Sequence, residues 1–105
     1  MALESNPAAI RVSGSLDSHY SPKAKVILDV VAVAGDGLIA PDQIPTPNGV
    51  VRLAAPSTIE EYASDLYRAL RSADRKGLEV VVVLQPGGDG LAAAIRDRLR
   101  RSATT

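Results

Sequence analysis

The chain has 105 residues, 46% of them apolar and 23% charged, which suits one small soluble domain and excludes disordered, collagen-like and disulfide-scaffold classes. Twelve Lys and Arg balance twelve Asp and Glu, so nucleic acid is not the expected direct partner. With no cysteine and a single histidine, thiolate zinc sites, cysteine nucleophiles and multi-histidine metal centres drop out, and no metal site is expected. No apolar run approaches the roughly 18 to 20 residues of a membrane span, nor does the start read as a signal peptide, so the expected location is the cytoplasm and no membrane partner is expected.

Residues 1–24 lack an apolar period and are rich in Ser, Pro, Gly and Asn, which predicts a flexible linker ahead of a small domain over residues 25–105. After Met1 the segment has the character of an interior stretch, as if cut from something longer. Lys25 to Val33, KVILDVVAV, is a nearly continuous aliphatic run broken only by Asp29 and predicts a first strand covered on both faces. Pro41, Pro45 and Pro47 forbid a regular helix up to Asn48, leaving a loop with one short extended piece at Leu38 to Ala40. Val50 to Ala55 reads as a second strand.

Pro56 and Ser57 open the clearest helix, because Ser57 and Glu60 stand at capping-box spacing. Ile59, Tyr62, Ala63, Leu66, Ala69, Leu70 and Ala73 then form one apolar stripe ending at Gly77, the expected left-handed stop. Leu78 to Leu84, LEVVVVL, predicts a central strand, since stiff β-branched valines suit a sheet interior. A last helix, with Leu91, Ile95 and Leu99 on one face, ends near Ser102. This order of elements predicts an α/β layer, a small Rossmann-like arrangement of three to four mainly parallel strands and two main helices.

Two groups of residues invite a chemical reading. Gly87, Gly88 and Gly90, between the valine strand and the last helix, are the candidates for binding an anion through backbone amides. The alternative is a plain strand-to-helix turn with Asp89 as the helix cap. Ser13, Ser15, Asp17, Ser18 and His19 hold the residue types of a hydrolase triad, but a triad needs a rigid scaffold with the base about 3 Å from the nucleophile. Consecutive residues on one polar stretch do not supply it, and no residue is assigned a catalytic role.

The strings SGSLDSHYSPKA (Ser13 to Ala24), YASDLYRALRSADRKGLEVVVV (Tyr62 to Val83) and GLAAAIRDRLRRSA (Gly90 to Ala103) together resemble the interdomain linker and C-terminal domain of the two-domain L-threonylcarbamoyladenylate synthases. The resemblance runs from about Val12 to Ala103 and is thinnest between Val31 and Asn48. It implies a parent enzyme whose larger N-terminal domain, absent here, condenses threonine, bicarbonate and ATP into threonylcarbamoyl-AMP and pyrophosphate for threonylcarbamoyladenosine formation in tRNA. ATP and Mg would belong to that domain, which is the implied partner, and this chain would carry no cofactor and no catalysis. Gly14, His19, Tyr20 and Pro22 match the linker pattern and inherit a lid role over the active site of the larger domain. Asp17 and Ser18 stand where the family's more basic linkers carry charged residues upstream of the histidine. An independent nucleotide- or phosphate-binding α/β module is the alternative reading.

Overall fold

A computed structural model describes residues 22–103. Four strands and two helices follow in the order β1 (Lys25–Leu28), β2 (Gly37–Ile39), β3 (Val51–Ala54), α1 (Ile59–Arg75), β4 (Val80–Val83) and α2 (Leu91–Ser102). All strand pairs are parallel, and the sheet runs β1, β4, β2, β3 from edge to edge. The expected α/β class, with a parallel sheet of four strands and two helices, is what the described residues form. The valine run is central: Val81 lies beside Val26 on one side and Gly37 on the other.

Because side chains alternate across a strand, the sheet has two faces of different character. Val26, Ile39, Val81 and Val83 point to one face and pack against Tyr62, Leu66, Ala69 and Leu70 of α1 and Ile95 and Leu99 of α2. Leu38, Ala40 and Val82 point to the other, where Ala32, Ile44 and Val50 meet them from irregular backbone. A doubly wound sheet carries helices on both faces; among the described residues both helices share one face, giving two layers.

The first strand is shorter than its sequence suggests. Asp29 adopts a left-handed φ of 57°, which turns the chain away after Leu28. Its carboxylate accepts hydrogen bonds from Gln85 N (2.9 Å) and Gln85 Nε2, locking the end of β1 to the segment after β4. The expected strand from Lys25 to Val33 therefore divides, and Val30 to Val33 leave the sheet. Nor is β1 covered on both faces: it is an edge strand with Lys25 exposed. The short piece expected inside a loop, by contrast, is a fully buried interior strand, β2. A side chain at Gly37 would stand 2.7 Å from Leu53 Cδ1 and 3.0 Å from Leu78 Cδ1, so glycine lets both leucines close over the sheet.

Helix α1 begins one residue later than its capping signal suggests. Thr58 is the N-cap, extended at φ −131° and ψ 163°, and its Oγ1 accepts from Glu61 N at 3.1 Å. Glu61 accepts in turn from Ser57 N and Ser57 Oγ, both at 2.8 Å. Two overlapping Ser/Thr-x-x-Glu patterns stand here, and it is the second that closes. The stop is as expected: Gly77, at φ 72°, donates to Asp74 O while Leu78 N donates to Ala73 O, a Schellman pair that satisfies the last carbonyls. At α2 the cap is Gly90 (φ 62°), not Asp89, and no side chain caps it. Placing Gly90 at the boundary leaves Asp89 one residue too early to reach the first-turn amides.

Candidate functional site

In open α/β sheets ligands bind outside the carboxyl ends of the strands, where neighbouring connections depart in opposite directions. That point lies here between β2 and β4. The chain leaving β2 goes outward to β3, and the chain leaving β4 returns as α2 beneath β1. A crevice of about 200 Å³ opens there, walled by Pro41 and Gln43 after β2, Pro56 to Ile59 and Tyr62 at the start of α1, and Pro86 and Gly87 after β4.

Three polar side chains that line this crevice, Ser57, Thr58 and Tyr62, are hydrogen-bonded within the domain. The Glu61 carboxylate lies at the amino end of α1, and its hydrogen bonds from Ser57 N and Ser57 Oγ hold it below the usual carboxylate range. Tyr62 is buried and its hydroxyl donates to Leu84 O at 2.8 Å; burial, with the Asp29 charge adding to it, pushes the phenol well above its ordinary 10.0. Arg96 donates to Pro86 O at 2.8 Å, fixing the turn into α2. Among the described residues no group of three or more His, Cys, Asp or Glu is arranged to hold a metal.

The anion-binding candidates follow β4 directly. Gly87 lines the crevice, and Gly88 (φ 113°) and Gly90 (φ 62°) carry the chain into α2. Asp89 lies among them, and Arg96 stands beside them through its bond to Pro86 O. Of the lid candidates, Pro22 is the first described residue and is half-buried; Gly14, His19 and Tyr20 lie outside the described residues. Just after Pro22 the chain is fastened to α1: Lys23 N donates to both carboxylate oxygens of Asp74 (3.0 and 3.1 Å), and Ala24 N donates to Asp74 Oδ1 at 3.2 Å.

Sequence reasoning missed one residue that organises this end of the molecule. Arg52 of β3 points to the helix-free face and uses all of its donor groups. Its Nε reaches Ala54 O, one terminal nitrogen reaches Ile44 O and Thr46 Oγ1, and the other reaches Ala40 O and Pro41 O, all between 2.8 and 2.9 Å. The proline-rich loop cannot make a ladder of its own, and Arg52 supplies the missing donors. A lone arginine inside the aliphatic stretch Val50 to Ala55 is the signal that would have found it.

These features define, among the described residues, a small two-layer parallel α/β arrangement in which Lys23 and Ala24 are fastened beside α1 and Ser57, Thr58 and Tyr62 of the crevice are hydrogen-bonded internally. The family model described as threonylcarbamoyl-AMP synthase, C-terminal domain, matches residues 2–104, and the chain belongs to that family. No curated protein and no solved structure gives a match to the chain.

Proposed function

We propose that this chain is a non-catalytic accessory domain of a threonylcarbamoyl-AMP synthase acting in threonylcarbamoyladenosine formation on tRNA, with residues 1–24 serving as the linker that covers the active site of the synthase domain. The observation that carries this reading is the family match over residues 2–104. It is supported by the state of the crevice: Glu61 is committed to the helix cap and Tyr62 to Leu84 O, so neither stands beside a nucleophile as a general base. ATP and its Mg²⁺ would be held by the synthase domain, and the enzyme would work in the cytoplasm. Among the described residues no helix is long and apolar enough to cross a membrane.

A lid has a clear chemical use there, because an acyl adenylate hydrolyses when water reaches it. Two experiments test the reading. The 105-residue chain, given ATP, threonine and bicarbonate, should release pyrophosphate only at background, and clear turnover overturns the non-catalytic role. In the parent enzyme, His19→Ala or Tyr20→Ala should lower synthase turnover or raise unproductive ATP consumption while the melting temperature of this chain stays unchanged. If either change unfolds the isolated chain by more than about 2 kcal/mol, the size of a core truncation, these residues serve the core and the lid role fails.

A further inference from the structure

The amino end of the described chain joins the domain through one carboxylate. Pro22 has no N–H to place, so Lys23 N and Ala24 N are the first amides after it, and both go to Asp74 in the last turn of α1. Lys23 N donates to Asp74 Oδ1 at 3.0 Å and to Oδ2 at 3.1 Å, and Ala24 N donates to Oδ1 at 3.2 Å. The next amide, Lys25 N, belongs to the sheet and donates to Glu79 O at 2.9 Å. Ala24 itself is buried in the core of the helix-covered face. Between Pro22 and Lys25 the path of the chain is therefore set by Asp74 and one small buried side chain, and the strand ladder takes over only afterwards.

Asp74 stands where a helix by itself disfavours a carboxylate. The carbonyl end of a helix carries partial negative charge and prefers cations, which Arg75 and Lys76 supply. The helix stop does not use the acid: Asp74 contributes its backbone oxygen there, accepting from Gly77 N at 3.1 Å, and Gly77 supplies the left-handed turn. The carboxylate reaches instead to backbone amides 50 and 51 residues earlier in the chain. Hydrogen bonds to an ionised acceptor are stronger than neutral ones, which suits a fastening made outside the sheet.

We propose that Asp74 is the positioning residue of the linker: by holding Lys23 and Ala24 against the end of α1 it sets the point and direction from which the residues ahead of Pro22 leave the domain. The inference rests on the linker reading given above. A segment that covers an active site must return to one place in every turnover, and a fixed root reduces the arrangements it has to search. Asp74 acts through the chain it holds, not on the reactants.

The test has a local and a functional arm. In the isotope-labelled 105-residue chain, Asp74→Ala should speed amide exchange at Lys23 and Ala24 about tenfold while Lys25 and the amides of α1 keep their rates. In the parent enzyme the same change should raise the ATP consumed per threonylcarbamoyl-AMP formed by about threefold. Asp74→Asn keeps an oxygen able to accept from both amides, as Oδ1 does, and should recover most of that coupling. Helix propensity alone gives the opposite order, because Ala favours a helix more than Asn does. Adding Asp74→Ala to Tyr20→Ala should cost nothing further, since both act through the linker. Faster exchange at Lys23 and Ala24 with unchanged coupling overturns the positioning role; the linker reading then stands if His19→Ala or Tyr20→Ala still wastes ATP, and falls if neither does. Unchanged exchange at Lys23 and Ala24, faster exchange throughout β1 and α1, or full additivity with Tyr20→Ala also overturns it.

Discussion

On the helix-covered face of the sheet, regular stripes from α1 and α2 meet a regular row of strand residues, and burial follows from periodicity. On the other face, Leu38 and Val82 are as deeply buried, yet the cover is an irregular, proline-rich segment with no repeat of its own. What takes the place of periodicity there is a single polar side chain, Arg52, whose donors hold the loop down. The comparison teaches that the two faces resist damage differently: the first depends on volume, the second on a few directional bonds.

The largest effect should come from emptying the helix side. Leu70 is fully buried between α1 and the sheet, so Leu70→Ala should cost about 3 to 4 kcal/mol in urea unfolding. Leu38→Ala on the other face should cost less, about 2 kcal/mol, because an irregular cover can settle into the space. Equal losses would break the comparison.

Next in size is the arginine. Arg52→Met keeps the aliphatic stem but strips five hydrogen bonds, leaving four carbonyls and a threonine hydroxyl to water; a loss of about 2 kcal/mol is expected. The sharper readout is local: amide exchange at Asp42 and Ile44, which bond to Pro56 O and Pro41 O, should accelerate well before the amides of α1 do. Uniform acceleration would mean that Arg52 supports the whole fold and not one face.

Smaller still is the entry to α1. Thr58→Ala should cost about 1 kcal/mol through the lost cap. Glu61 has a folded pKa below its ordinary 4.5, so the unfolded chain takes up its proton first as pH falls. Its stabilisation is thus complete at neutral pH and is lost below about pH 4.5 as the solution approaches the folded value. Melting curves between pH 6 and pH 3 should show that loss, and Glu61→Gln should remove this part of the acid dependence. The least effect belongs to the exposed valines: Val31→Ser should stay within about 0.5 kcal/mol, because a side chain in solvent leaves no cavity behind.

Of the candidate site, the glycines after β4 and the start of α1 were legible because turn and cap residues act on their own neighbours. The crevice between them was not, since it exists only where the ends of β2 and β4 come side by side. Arg52 was visible as an oddity in an aliphatic strand, but its five acceptors lie on three separate stretches of chain. Asp29 was visible as a break in KVILDVVAV, yet whether it interrupts a strand or ends it depends on Gln85, 56 residues away.

Local chemistry in the sequence therefore determined the elements that need only their own neighbours: α1 with its Ser/Thr-x-x-Glu start and Gly77 stop, the four-valine strand, and α2 with its leucine and isoleucine stripe. Tertiary structure alone decided that Gly37 to Ile39 is an interior strand, that both helices share one face, and that Val30 to Val33 lie outside the sheet. A three-residue strand has too little periodicity to announce itself, and its stability comes from ladders on both sides. The fate of the valines was settled by Asp29, whose left-handed turn is held by hydrogen bonds to a distant segment, a partner that no window of local sequence contains.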